Sequence, residues 1–527
     1  MDYDRMKKSL VAVGVIVALG VVWTGSAWYT GKQLEGRMAE MISNANAQLK
    51  KASPEAGLTL GYQDYKRGLF HSTMQLVIKP TDGMTSAILK PDQSIVFNET
   101  IDHGPFPFAQ LKKFNLLPSM ASVHTTLVNN PTTKPLFDIA KGQSFIDAQT
   151  RIGYTGDTSS DIALLPLNYE NGEQKVAFSG GQFNADVDGQ GDKIAISGEA
   201  ESGLVNTVNE YGQHVQMTFN GIKTDGSSAR SEFIERIGSQ KASIEKLAIS
   251  IEGKEMAVLE GLDINAKSEL QDDKKHLSGQ IDYNLNSLKV QNKDIGSGKL
   301  TLKIGNLDGA AVSEFSQKYN AESQKLLADP AFAQNPEAYQ QQIVELFAAN
   351  LPLLLKGDPV ITVAPLSWKN AKGESTFNLS LFLKDPATAT GEATTPEDQL
   401  NRVVKSLDSK LVIPVDMATE LMTQVAQLEG YQPAEAAKLA DQQIKGLAAM
   451  GQMFRVTTME NNNVVSSLQY SNSQVTLNGQ KMPLSDLLGM FGMPGTGAPE
   501  AAPAPELETP VTPAVPAVPA VPAVPQQ

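Results

Sequence analysis

The stretch GLDINAK at residues 261–267 and the stretch KLTLKIG at residues 299–305 decide the fold. In the first, Leu262, Ile264 and Ala266 alternate with Asp263, Asn265 and Lys267. In the second, Leu300, Leu302 and Ile304 alternate with Thr301, Lys303 and Gly305. Successive side chains of a strand point to opposite faces, so a period of two predicts strands with one buried face and one wet face. From about residue 58 to 310 the same pattern recurs between short Gly, Asn and Asp punctuations, which predicts consecutive antiparallel strands.

Outward from this region the period changes. Residues Ala310–Leu327 and Pro336–Leu355 follow a helical period, the second opening on a proline suited to a first turn. A hairpin is expected from Val360–Trp368 and Thr376–Leu383 across Lys372 and Gly373. A second helical pair, Asp416–Leu428 and Pro433–Met450, precedes strands at Phe454–Met459, Val464–Tyr470 and Gln474–Leu477. No span reads as a βαβ series, so a doubly wound sheet is not expected. The fold class is α+β: a large, mostly antiparallel β-rich body with inserted helical pairs, preceded by a transmembrane helix.

That helix rests on the charge-free run Leu10–Trp28. Nineteen residues at about 1.5 Å each come close to a hydrocarbon core of about 30 Å. Arg5, Lys7 and Lys8 precede it, which leaves residues 1–9 cytoplasmic and the bulk of the chain on the far side of the membrane. Trp23, Trp28 and Tyr29 stand toward the outer end, where amphipathic aromatics favour the headgroups. Gly25 and Ala27 also fit a cleaved signal peptide, although the apolar run exceeds the usual signal core.

The expected organisation is thus a signal anchor at 10–29 and a juxtamembrane helix at 30–53, ended by Pro54 and Gly57. A β-rich region at 54–309 and an α+β region at 310–487 follow, then a tail at 488–527. The tail ends in Pro-Ala-Val triplets at Pro513, Pro516, Pro519 and Pro522, a polyproline II pattern that cannot form a packed core. A heptad through Val13, Val17, Gly20, Thr24, Ala27, Gly31, Leu34, Met38, Met41 and Ala45 predicts a parallel homodimer through the N-terminal helix.

Composition narrows the chemistry. The 527 residues, a length for about three domains, carry 44 Lys plus Arg against 58 Asp plus Glu, a formal charge of −14. Such a balance gives no basic footprint for nucleic acid. The absence of cysteine removes disulfides, thiolate nucleophiles and iron–sulfur ligation. His71, His103, His124, His214 and His276 show no paired metal-binding spacing. Gly31–Gly36 lacks the Lys and Ser/Thr of a phosphate loop, and Gly296-Ser297-Gly298 lacks the frame of a nucleophile elbow. Asn184, Asp186, Asp188 and Gly189 resemble half a calcium loop, with Asp192 nearby. Ala195, however, stands where the bidentate Glu belongs, and an Asp/Gly-rich hairpin turn explains the same residues. No catalytic, cofactor-binding or metal residue is assigned, and no cofactor is expected.

The anchor followed by Tyr65-Lys66-Arg67-Gly68-Leu69-Phe70-His71-Ser72 resembles the YdgA-like family of bacterial inner-membrane proteins, a family of unknown function. His103-Gly104-Pro105 agrees with it, as do Gly298 through Leu300, Leu302, Ile304, Asn306, Leu307 and Asp308, and Leu477-Asn478-Gly479. Together these span most of residues 1–485, leaving the proline tail outside. The resemblance implies an anchored periplasmic protein and carries over no catalytic residue. Each motif also has a structural role: aromatic cover around a Gly68 turn with Arg67 bonded nearby, a rigid corner at Gly104–Pro107, a helix cap at Asp308 and a type I′ turn at Asn478-Gly479.

These readings predict a non-enzymatic envelope protein with an assembly or binding role. The alternative is a carrier or chaperone for lipid or another apolar ligand, with a sheet face lined by Leu262, Ile264, Leu300, Leu302 and Ile304. A hydrolase using carboxylates comes third.

Overall fold

The computed structural model describes residues 3–52, 56–81, 89–233, 235–328, 335–390 and 393–490, with the side chains of residues 3–23 and a few others outside that description. The proline-rich tail beyond residue 490 lies outside the described residues.

The alternating segments form strands of one 22-stranded sheet, and every described pairing in it is antiparallel. Its first part comprises β1 (Leu58–Arg67), β2 (His71–Pro80), β3 (Ile95–His103), β4 (Ala121–Leu127), β5 (Ile146–Ile152) and β6 (Thr158–Leu164). After the short hairpin β7 (Leu167–Asn171) and β8 (Gln174–Phe178), β9 (Gly181–Val187) pairs back on β6. Six long strands follow: β10 (Lys193–Val208), β11 (His214–Arg230), β12 (Arg236–Ile251), β13 (Lys254–Leu270), β14 (His276–Val290) and β15 (Lys293–Asp308). The sheet continues through β16 (Val360–Asn370), β17 (Gly373–Leu383), β18 (Val404–Pro414), β19 (Thr458–Glu460), β20 (Asn463–Ser471), β21 (Gln474–Leu477) and β22 (Gln480–Pro483). The α+β class therefore holds. The sheet runs without a break past residue 309, because β15 pairs directly with β16.

Some details depart from the sequence reading. Strand β18 and its preceding helix, Pro396–Val403, are additional elements; Thr395 and Asp398 close a reciprocal capping box at the helix start. The strand expected from Phe454 begins at Thr458. Phe454 and Val456 instead wind down the preceding helix, donating to the carbonyls of Met450 and Gly451. The half calcium loop is a hairpin turn between β9 and β10, in which Asp188 accepts the Asp192 amide at 2.6 Å and Asp192 pairs with Arg230 at 3.2 Å.

The first helix, α1, is continuous from Tyr3 to Ala52. Among the described residues no helix is long and apolar enough to cross a membrane; the side chains of the apolar run up to Trp23 lie outside that set. Beyond it, Ala27, Gly31, Leu34 and Met38 are buried. Leu34 and Met38 enter a core with Ile101, Met120, Ala121 and Ile152, flanked by Tyr65, Met74 and Val123. The stripe offered for homodimerisation is thus occupied by the protein's own sheet from Ala27 to Met38. A pairing confined to residues 13–20 falls outside the described side chains.

The two helical pairs stand at strand ends. Helix Gly309–Ala328, capped by Asp308 accepting from Ala311 at 2.7 Å, packs on helix Pro336–Leu354 through Phe315 and Phe347. At the opposite strand ends, helix Val415–Leu428 buries Met417 against β16 and β17, where Asn370 donates to the Met417 carbonyl at 2.9 Å. Helix Pro433–Met453 packs on it.

Candidate functional site

Directly opposed residues of an antiparallel pair share a face, so the register divides the sheet into two surfaces. One row runs Glu199, Lys223, Ser243, Asp263, Asn284, Lys299 and Ser367. The next row on that face is Ser197, Asp225, Lys241, Asn265, Asp282 and Thr301. This surface is polar, with charges of both signs.

The opposite face is predominantly apolar, with Thr150, Ser160, Gln240 and Ser409 interspersed along it. One unbroken row passes through Ile101, Val123, Thr150, Ser160 and Ala185 to Ile196. It continues through Gly226, Gln240, Ala266, Ile281, Leu302, Val363 and Leu379, then Ser409, Leu468 and Leu477. Leu262, Ile264, Leu300 and Ile304 lie on this same face. At the N-terminal end α1 covers it. At the C-terminal end Leu484, Leu487 and Leu488 of helix Leu484–Met490 pack on Tyr470, Val475 and Leu477. Between these covers the face is open: Ile196 is 49% exposed, Tyr283 40% and Leu302 38%.

The open part holds a groove of about 420 Å³, within the range of small-ligand sites. Its shape follows from residue size. Gly226, Gly238, Ala266, Ser268 and Gly279 form a low floor, and Ile194, Ile196, Ile281, Leu302 and Ile304 rise around it. At one end Arg236 lines the groove, and Arg230 stands directly opposite it on β11. Like charges facing across a strand pair repel. Asp192 offsets the charge of Arg230, while Arg236 donates to the backbone carbonyls of Gly191 and Asp192.

A second cluster gathers the family-like motifs beneath α1. His103 is buried, with Nδ1 3.2 Å from the Leu69 carbonyl and Nε2 2.8 Å from Ser72 Oγ. A carbonyl only accepts, so Nδ1 carries the proton and Nε2 accepts from the Ser72 hydroxyl, whose oxygen in turn accepts from Tyr65 at 3.2 Å. Burial pushes the His103 pKa down and the Tyr65 pKa up, so both stay uncharged. The bond order is that of a hydrolytic serine and its base. Yet Ser72 is completely buried and the imidazole lies against Gly31, where even a Cβ would overlap the ring, leaving no volume for a substrate. The cluster is a clasp between helix and sheet, reinforced by Thr30 donating to the Gly104 carbonyl at 3.0 Å and by Arg67 pairing with Glu35 at 2.8 Å.

Two groups escape the sequence reading. The Ser72–His103 pair joins residues 31 apart whose meeting depends on the β2–β3 register. Glu99, almost fully buried two positions from Ile101, has its pKa raised to about 7 by burial, against the stabilising bond from Thr125 at 2.6 Å. Of the remaining histidines, His71 lies close enough to His103 to act on its charge, while His124 meets Asp147, His214 stands near Glu173 and His276 meets Asp273. Among the described residues no group of acids and histidines is placed to hold a metal ion.

Fold and site together define a single-sheet α+β protein with one polar face and one mainly apolar face that, among the described residues, helices cover at the two ends of the sheet and leave open at the groove. The chain belongs to the family described as bacterial protein of unknown function (DUF945), whose model matches residues 6–485. It is 60% identical to Protein YdgA of Escherichia coli over 95% of this chain and the whole of that relative. It is 32% identical to Uncharacterized protein YihF of the same organism, over 91% of this chain and 98% of that one. An uncharacterized protein of Haemophilus influenzae matches 59% of this chain and 85% of its own length at 26% identity. No solved structure matches.

Proposed function

We propose that the protein is a carrier anchored in the bacterial inner membrane that holds an amphipathic ligand, an acyl chain with an anionic head, along the open part of its apolar face. The observation that carries this reading is the continuity of that face, closed over at both ends of the sheet and, among the described residues, open at the groove. Burying methylenes there stabilises a complex by about 0.8 kcal/mol each, while Arg230 and Arg236 supply a cationic edge for a carboxylate or phosphate head. The anchor is supported by the charge-free run from Leu10 to Trp28 behind Arg5, Lys7 and Lys8. This reading narrows the binding role expected from the sequence to a lipid-like ligand and needs no catalytic residue.

The test is mass spectrometry of lipid carried through gentle purification of the full chain. Stoichiometric lipid is expected, and Gly279→Leu should reduce it about tenfold, a loss equivalent to about 1.4 kcal/mol. A side chain at Gly279 begins in ordinary contact, 3.5 Å from Ile304 Cγ2, so the variant fills the groove without disturbing the fold. Protein that is free of lipid in both forms would overturn the carrier.

A further inference from the structure

Apolar side chains also crowd the loop that links β3 to β4. After the short helix Phe108–Lys112, Phe114 is 92% exposed, Leu116 69% and Leu117 64%. The polar residues of the same loop turn inward. Gln110 is buried and donates to Ser122 at 2.9 Å, while Asn115 donates to Gln110 Oε1 at 2.9 Å and accepts the Leu117 amide at 3.1 Å. This inverts the arrangement of a loop made for water, where apolar groups turn in and amides turn out. The loop is rigidly built, since Asn115 also closes the helix end by donating its amide to the Gln110 carbonyl at 3.0 Å. Phe114 occupies the left-handed position there, at φ +55°, where glycine is the usual residue and a bulky side chain costs about 1 kcal/mol or more.

Its location is fixed relative to α1. Thr30, two residues beyond Trp28, donates to the carbonyl of Gly104 at the loop's start, and two residues of helix rise only about 3 Å. Trp28 and Tyr29 are themselves 43% and 56% exposed at this level.

We propose that Phe114, Leu116 and Leu117 form a second membrane contact, inserting into the headgroup–acyl boundary of the bilayer that α1 enters. The proposal rests on the reading of α1 as an anchor. Its occupant is lipid because the anchor's apolar run ends at the loop's own depth, and because three adjacent apolar side chains on a rigid loop match the shallow burial of interfacial segments. Lys112 borders the patch, with a stem long enough to reach phosphate heads. The contact would fix the orientation of the sheet, whose arginines at 230 and 236 belong to the same set of strand ends.

The chain lacks cysteine, so single labels are straightforward. The full-length variants Phe114→Cys, Leu116→Cys and Leu117→Cys would each carry a fluorophore in phosphatidylethanolamine–phosphatidylglycerol vesicles containing brominated lipid. Val17→Cys reports on the anchor, and Tyr211→Cys, at the opposite strand ends, reports on water. Quenching at 114, 116 and 117 well above that at 211 is expected. Quenching at 17 with none at the three loop positions would overturn the loop contact alone, whereas an unquenched 17 would overturn the anchor. Phe114→Gly, placed in the Leu117→Cys background, should at least halve the quenching while keeping or raising the melting midpoint. A lowered midpoint with unchanged quenching would make Phe114 a packing residue and defeat the proposal.

Discussion

Glu99 and His103 stand four residues apart on one strand and point to the same face, and burial disfavours the charged form of each. Their effects on stability oppose each other. The Glu99 carboxyl has its pKa raised from 4.5 to about 7, so the folded state holds the proton more tightly. Its contribution is full below about pH 4.5 and is lost as pH rises to about 7, a change on the order of 3 kcal/mol. The His103 pKa is depressed below 6.5 by burial. Its contribution is full above that value and falls as pH drops. Glu99→Gln should therefore flatten the loss of stability toward pH 7 and raise the urea midpoint at about pH 8, with little effect at about pH 4. An unchanged difference between these two midpoints would mean that Glu99 is not the titrating group. Neither residue's state is legible in the sequence. His103 stands in a recognisable motif and Glu99 among 57 other acids, yet it is their burial on this face, largely beneath α1 for His103, that sets their charge.

At the scale of elements, the period of α1 was readable and its partner was not. Ala27, Gly31, Leu34 and Met38 define a stripe that would suit a second helix or a sheet equally well, because spacing fixes the face and says nothing of what covers it. The hydrogen bond from Thr30 to the Gly104 carbonyl, and the pair in which Asn46 donates to the Leu60 carbonyl and accepts the Leu60 amide, select the sheet. Leu34→Cys and Met38→Cys should accordingly resist a water-soluble maleimide in the folded protein, while Met41→Cys, at a 37% exposed position, should react readily. Fast modification at all three positions would detach the helix from the body. Strand β18 shows the converse limit. Its start-of-helix signal at Thr395 and Asp398 is legible, but the eight-residue helix leads straight into the strand without a turn signal, and Ser409 stands among the apolar positions Leu407, Leu411 and Ile413, which blurs the alternation.

Across the whole molecule, alternation told which side chains share a face within a strand, and the register joined those short faces into one surface. What covers that surface depended on the helices, which stand at strand ends instead of over the middle. The consequence is an uneven distribution of stability. The apolar clusters under α1 and under helix Leu484–Met490 are separated by six long strands, β10 to β15, whose apolar face lacks helical cover at the groove, so those strands depend mainly on their neighbours in the ladder. Protection from hydrogen exchange follows buried apolar contact as well as hydrogen bonding. Amides of β3 to β5 and of β20 and β21 should therefore exchange more slowly than those of β12 to β14 in lipid-free protein. An acyl ligand in the groove would add the missing cover, and binding that favours the folded state stabilises it in proportion to ligand excess. Loading with lipid should slow exchange in β11 to β15 and leave the two ends unchanged. Uniform slowing would indicate a general detergent-like effect, and slowing confined to the ends would place the ligand away from the groove.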